Sequence, residues 1–314
     1  MKFSPTAISK EPLVSVGIPT YNQPDGLRRT LECIVGQTYR NIEIIVSDND
    51  SPDPRVASVG AEFRERDARV RYFRQLRNVG PTENFRFVLG KASGKYFMWA
   101  ADDDFWETEF IEKLAELLEK DKQAGVAFCS FDARYTDGGR VERYPEFLPL
   151  LQVYSNRPIF ERLATYISQE ESFGKANLIY GLYCKHVLIK AGGMKVWGLG
   201  WWGADMLIVC SVLARGNFVV SEKLLYHVGA GPRPSVDQES PLSPLSRDTR
   251  ASRTLRDFFQ HAGYVFGYAR IVTGASELSV GERFALLKII ARKLATFLCQ
   301  DVAINLRCLR CIAK

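Results

Sequence analysis

Residues 14–53 read VSVGIPTYNQPDGLRRTLECIVGQTYRNIEIIVSDNDSPD, and the order of elements within them decides the fold. Val14–Ile18 and Ile42–Val46 are short, apolar and rich in β-branched residues, as strands buried on both faces are. Between them, residues 25–36 carry apolar side chains at helical spacing, and Pro24 stands where a first helical turn tolerates a missing N–H. Strand, helix, strand in this order is a βαβ unit with two parallel strands.

Outward from this unit the alternation continues. Strands are predicted at Val70–Phe73, Tyr96–Trp99 and Val126–Phe131, with helices at about 53–66, 82–91 and 108–120. Pro81 suits another first turn, and Thr108 suits an N-cap with Glu109 beside the positive helix end. The expectation is an α/β fold with a mainly parallel sheet covered by helices.

In such sheets ligands bind beyond the carboxyl ends of the strands, so the residues that follow each strand are the informative ones. They are Pro19-Thr20-Tyr21-Asn22 after the first, Ser47-Asp48-Asn49-Asp50-Ser51 after the second and Ala101-Asp102-Asp103-Asp104 after the fourth. No GxGxxG or GxxxxGK[ST] occurs, which disfavours dinucleotide oxidoreductases and P-loop enzymes. An aromatic ring can stack on a base, a carboxylate can accept from a base N–H, and clustered carboxylates can hold a hard divalent cation against a diphosphate. Each has a structural alternative: core packing for Tyr21, an Asx-turn for Asp48, and an acidic approach to a helix N-terminus for Asp102–Asp104. Three adjacent carboxylates repel one another, however, and are hard to explain on stability alone.

The whole chain has 314 residues, of which 46% are apolar, enough for a large core without disulfides or metal staples. Its net charge of +6 invites a nucleic-acid reading, but the excess is localised. Arg250–Lys314 carries +7 and the remainder −1, so the basic surface does not surround the strand ends, and no nucleic-acid partner is expected. Seven scattered cysteines read as reduced core thiols, and Cys308 and Cys311 form a single CxxC that lacks the second half of a zinc site. The N-terminus lacks the apolar stretch of a signal peptide, and no run of 18 uncharged apolar residues occurs, so a cytoplasmic protein is expected.

On the strand-end motifs the sequence resembles the family 2 glycosyltransferases of the GT-A fold, over about residues 12–230. The opening unit, with its P-x-Y-N turn and acidic turn, is similar to the family's first βαβ unit. Arg77-Asn78-Val79-Gly80 resembles its N-x-G turn, Gly94–Trp99 resembles the family's strand, and Ala101–Asp104 resembles its DxD metal motif. The resemblance implies a GT-A-type, Rossmann-like sandwich. It assigns Pro19, Thr20, Tyr21, Asn22, Asp48, Asn78 and Asp102 to the nucleotide, and Asp103 and Asp104 to Mn²⁺ or Mg²⁺. Two departures stand out: Ala101 occupies a position that is commonly acidic, and Asp48-Asn49-Asp50 replaces two adjacent acids followed by glycine.

Beyond residue 150 the parallel pattern breaks down, as an acceptor half would. The segment from Ala191 to Val220 resembles the family's acceptor loop and following helix, with Asp205 at the helix start as the implied catalytic base and a helix cap as its alternative. Trp197, Trp201 and Trp202 lie in that loop, with Trp201 and Trp202 assigned to the acceptor or, alternatively, to core or lid packing. His227, after a strand at Lys223–Tyr226, is a further candidate near the metal or acceptor, although a lone histidine is more often structural. Gly229–Ser246, dense in Pro, Ser and Gly, reads as a mobile loop.

The expected organisation is an N-terminal extension (1–11), a glycosyltransferase domain (12–230, divided at 131/132 into nucleotide-sugar and acceptor halves), a flexible loop (231–249) and a basic helical region (250–314). That last region either packs on the catalytic domain with a solvated basic face or lies on anionic lipid at the inner face of the plasma membrane. The implied activity is inverting, metal-dependent transfer from a nucleotide-diphosphate sugar to a glycan or lipid-linked acceptor in bacterial surface polysaccharide synthesis. The alternatives are an inactive nucleotide-sugar-binding scaffold and, more remotely, a nucleotidyltransferase.

Overall fold

Val14–Thr20 and Ile42–Asp48 form strands β1 and β2 of a computed structural model that describes residues 11–135, 141–143, 147–155, 157–171, 174–195, 202–230 and 250–310. Every residue of β1 is buried, as a strand covered on both faces requires. Helix α1 (Pro24–Val35) joins the two strands, and α2 (Pro54–Arg66), β3 (Val70–Arg74), α3 (Pro81–Lys91) and β4 (Tyr96–Trp99) extend the alternation. Prolines open α1, α2 and α3, where no N–H partner is lost. Strands β3, β2, β1 and β4 lie side by side and parallel, with Thr20 opposite Asp48 and Gly17 opposite Trp99.

The chain continues through β5 (Phe105–Trp106), α4 (Phe110–Lys120), β6 (Ala124–Tyr135), β7 (Val141–Arg143), α5 (Phe147–Tyr154), α6 (Ile159–Ser168) and a 3-10 turn at Lys175–Tyr180. Strand β8 (Leu182–Cys184), α7 (Lys185–Lys190), α8 (Ala204–Leu213) and β9 (Asn217–Ala230) follow. The sheet runs β3-β2-β1-β4-β8-β6-β9-β5. β8 is antiparallel to both neighbours, so the parallel order breaks at the β4–β8 seam, whereas β6 and β9 pair in parallel through several register shifts. The α/β expectation with a mainly parallel sheet therefore holds. Thr108 does not cap α4: the helix begins at Phe110 behind Glu109, and the Thr108 carbonyl instead accepts from the Thr38 N–H at 2.8 Å.

Helices α9 (Arg250–Gly274) and α10 (Val280–Arg310) form a C-terminal hairpin. Ser279 and Glu282 make a capping box at the start of α10: the Ser279 N–H donates to Glu282 Oε2 at 2.8 Å and the Glu282 N–H to Ser279 Oγ at 3.3 Å. Tyr264, Tyr268, Leu286, Ile290 and Phe297 belong to the same buried cluster as the sheet, so the hairpin shares the core of the α/β region. The packed alternative is thus realised for these side chains. Among the described residues no helix is long and apolar enough to cross a membrane. The loop 231–249 and Cys311 lie outside the described residues, while Cys33, Cys129, Cys184, Cys210 and Cys299 are free thiols.

Candidate active site

The carboxyl ends of β1 and β4 are joined through the Asp102 carboxylate: the Thr20 hydroxyl donates to Oδ2 at 2.6 Å and the Tyr21 N–H to the same oxygen at 3.4 Å. Bonds to an ionised acceptor are the stronger kind, contributing about 1.5–3 kcal/mol net. Asn22 sits in the left-handed region at φ 56°, which asparagine tolerates, donating its N–H to Ser51 Oγ at 2.8 Å and accepting from the Asp53 N–H at 3.2 Å. Pro19 is buried opposite Ser47, and Tyr21 and Asn22 are half-buried. The turns after β1, β2 and β4 thus converge, as the motif order requires.

Asp48 is fully buried. Its carboxylate accepts from the Ser51 N–H at 2.8 Å and the Tyr72 hydroxyl at 2.7 Å, so the Asx-turn alternative is present in the geometry. Burial, followed by Asp48, holds the Tyr72 phenol above its ordinary pKa, which keeps it a donor. Asp50, where the family favours glycine, adopts φ 60°, a conformation aspartate can reach without a β-branch clash, and pairs with Arg74 Nη2 at 2.9 Å. The departure from the family pattern therefore preserves the turn's backbone. Asn78 Oδ1 accepts from Asn49 Nδ2 at 2.8 Å and from the Gly80 N–H at 2.9 Å, beside a cleft of about 690 Å³ that Gln75, Arg77, Val79 and Phe87 also line.

Within the acidic turn the three carboxylates are not equivalent. Asp102 and Asp103 are half-buried, whereas Asp104 is buried, with one oxygen accepting from the Tyr226 hydroxyl and the other from the Gly229 N–H at 2.8 Å. Through these bonds the Asp104 carboxylate, the other expected metal ligand, anchors the turn to β9. Two glycines hold the same turn. A Cβ on Gly26 would lie 2.0 Å from the Asp102 carbonyl oxygen, and one on Gly229 would lie 2.0 Å from that of Asp103. His227 is buried with Nδ1 2.5 Å from Asp132 and Nε2 2.9 Å from both Glu107 and Arg134. Both ring nitrogens are engaged, as the structural alternative for this histidine requires.

Asp205 lies in the first turn of α8, directly after Gly203, whose φ of 75° places the N-cap in the left-handed region. The side chain keeps some surface open while its carboxyl is largely surrounded by protein, and burial raises its pKa despite the Met206 N–H at 2.9 Å. Burial first and the Asp205 charge second hold the phenol of Tyr183, on β8, far above its usual range. Trp202 is half-buried, its ring meeting His261 and Tyr264 edge-on at 4.9 Å and Phe297 at 6.0 Å. These contacts show the packing alternative for Trp202, whose half-buried ring keeps part of its surface open. Trp197 and Trp201 lie outside the described residues.

With this geometry in view, the sequence matches the profile of Glycosyl transferase family 2 over residues 15–178, more than half of the chain. The chain belongs to glycosyl transferase family 2. It is 32% identical over 163 residues to Glycosyltransferase GlyA of Streptococcus pneumoniae, covering 50% of this chain and 22% of that protein. It is 26% identical over 179 residues to Uncharacterized glycosyltransferase EpsJ of Bacillus subtilis, covering 54% of this chain and 51% of that one. The chain therefore spans about half or less of the length of these relatives. Among solved structures, S. aureus TarS 1-349 in complex with UDP-GlcNAc superposes with a TM-score of 0.61 at 16% identity, covering 91% of this chain and 71% of that one. Mannosyltransferase PcManGT from Pyrobaculum calidifontis, in complex with GDP-Man and Mn2+, gives 0.53 at 15%, covering 95% and 88%. At these identities the likeness shows a shared GT-A-like fold.

For a family 2 chain the donor set can be tested against a divalent cation. Among the described residues no group of three or more His, Cys, Asp or Glu side chains is arranged to hold a metal alone. Half-buried Asp102 and Asp103 do suit a hard cation that arrives with a diphosphate and retains waters, which needs only one or two protein carboxylates. Reading the motifs missed Gly26 and Gly229. Gly26 carried a legible signal, a glycine inside a helical pattern, but nothing in the sequence says which backbone it must admit.

Proposed function

We propose that this chain is an inverting, metal-dependent glycosyltransferase that moves a sugar from a nucleotide-diphosphate donor to a hydroxyl of a glycan or lipid-linked saccharide, in bacterial surface polysaccharide assembly. The observation that carries the reading is the Thr20–Asp102 hydrogen bond of 2.6 Å, which ties the nucleotide turn to the acidic turn at the carboxyl edge of the parallel strands. Family membership, bacterial relatives and neighbours bound to UDP-GlcNAc or GDP-Man support it further.

Pro19, Thr20, Tyr21 and Asn22 bind the nucleotide, with Asp48 and Asn78 on the base side. Asp102 orients the ribose or diphosphate through its bond to Thr20. Asp103, with Asp102, would hold Mn²⁺ or Mg²⁺. Such a cation, when bound, supplies positive charge against the leaving diphosphate. Asp205 accepts the proton of the acceptor hydroxyl as that oxygen bonds to the anomeric carbon and the sugar's bond to the diphosphate breaks on the opposite face. Its raised pKa makes it a better base than an exposed aspartate.

A thermal-shift panel of UDP-, dTDP- and GDP-sugars with and without Mn²⁺, followed by donor turnover, tests the reading. One nucleotide class should raise Tm further when Mn²⁺ is present, and Asp103→Asn should remove that increment and nearly abolish turnover. Substantial turnover by Asp103→Asn sinks the metal assignment, and binding without turnover in the wild type favours a scaffold.

A further inference from the structure

Helix α8, which carries Asp205, is seated on the C-terminal hairpin through two close approaches. A Cβ on Gly203 would lie 2.4 Å from Tyr264 Cδ2 of α9, and a Cβ on Gly267 of α9 would lie 2.5 Å from Leu207 Cδ1 of α8. One glycine on each side of the contact lets the two elements meet closely, since a Cβ at either would require Tyr264 or Leu207 to shift. Trp202, three residues before Asp205, is enclosed by His261, Tyr264 and Phe297, and His261 stacks on Phe297 with centroids 4.5 Å apart.

Polar contacts secure the same junction. The Tyr264 hydroxyl donates to Glu171 Oε1 at 2.9 Å and lies 3.5 Å from Met206 Sδ, the residue after Asp205. Glu171 is bound in turn by Lys293 of α10 at 2.9 Å and by fully buried Lys175 at 3.2 Å. On the other side, the Tyr166 hydroxyl of α6 donates to the Met206 carbonyl at 2.8 Å. Residues 202, 203, 206 and 207 are therefore all held by partners, while the family match ends at residue 178 and includes neither α8 nor the hairpin.

We propose that Tyr264 is a positioning residue for Asp205: its ring, wedged under Gly203 and braced by the C-terminal hairpin, sets where the base stands. The inference rests on the reading of Asp205 as the base. Catalytic groups work within narrow tolerances, and a displacement of about 1 Å can cost about 100-fold in rate. A ring under the helix start supplies that tolerance because it cannot yield without moving α9.

The test uses the full chain and the nucleotide sugar that best stabilises it in the panel above. In Tyr264→Ala, amide exchange at residues 202–206 should rise by about tenfold or more while residues 100–104 stay unchanged. Turnover should fall about 10- to 100-fold, with nucleotide affinity within about twofold of wild type. Tyr264→Phe, which keeps the wedge, should retain most turnover. Gly267→Ala, which pushes α9 off Leu207 without deleting a side chain, should reproduce the Ala effects and serves if Tyr264→Ala does not fold.

Unchanged exchange at 202–206 in both Tyr264→Ala and Gly267→Ala, or equal losses of affinity and turnover, overturns the proposal. If Asp205→Asn remains active, the base reading fails, whatever the exchange data show. If Asp205→Asn is inactive while Tyr264→Ala turns over normally, only the positioning role fails.

Discussion

At the residue scale, Asp205 combines two opposed influences: a helix N-terminus favours its charged form, and burial disfavours it more. Because folding raises this pKa, the folded chain retains a proton that the unfolded chain has lost between the ordinary aspartate range and the raised value. Stability from this group therefore falls as pH rises through that window, and the cost is fully present above it. Asp205→Asn keeps an acceptor for the Met206 N–H and removes the cost, so the variant should melt above wild type at neutral pH and lose that advantage near pH of about 3. Melting temperature against pH checks the sign. Wild-type turnover should show its acid limb displaced toward neutrality from the usual carboxylate range, and a limb in the ordinary range would contradict a buried base. The motif order made Asp205 visible in the sequence, but its environment comes from residues far along the chain.

At the element scale, the contact between α1 and the acidic turn explains a residue that local preference alone would replace. Alanine stabilises a helix over glycine by about 1 kcal/mol, so Gly26→Ala would be favourable in an isolated α1. Here the added Cβ would meet the Asp102 carbonyl at 2.0 Å, a backbone atom held by β4 on one side and by the Thr20–Asp102 bond on the other. The clash should prevail: Gly26→Ala is expected to lose about tenfold in Mn²⁺-supported nucleotide affinity, with a lower urea midpoint. Titration calorimetry and urea unfolding measure both, and unchanged affinity would show that the turn moves freely. Element types and most boundaries in the first half were legible because β1, β2 and β4 are near-continuous apolar runs and α1, α2 and α3 begin at prolines. The Thr108 cap failed because a tertiary contact with Thr38 claimed its carbonyl, which local sequence does not record.

At the scale of the whole molecule, the +7 tail is partly a structural element. A chain ending before Arg250 would expose the surfaces that Tyr264, Tyr268, Leu286, Ile290 and Phe297 cover. It should lose cooperative unfolding and bind a hydrophobic dye; a sharp, wild-type-like transition would instead separate the hairpin from the core. The membrane reading consequently needs the full chain. Phe266 and Phe284 are 78% and 61% exposed, and Lys288 and Arg292 are exposed on α10 with Phe284. Full-length protein should bind phosphatidylserine-containing vesicles more tightly than phosphatidylcholine vesicles, and Lys288→Glu with Arg292→Glu should abolish the difference. Binding indifferent to lipid charge and salt would leave the basic face merely solvated.

The sequence by itself determined the alternating α/β order, the three strand-end motifs and the localised charge, because periodicity, turn chemistry and composition are local properties. Only the tertiary structure decided which of three adjacent aspartates is sequestered, why Gly26 and Gly229 stand against the acidic turn, that His227 is already paired, and that the hairpin supports α8. Each depends on contacts between segments distant in sequence, where burial and the positions of backbone atoms, rather than residue type, set the chemistry.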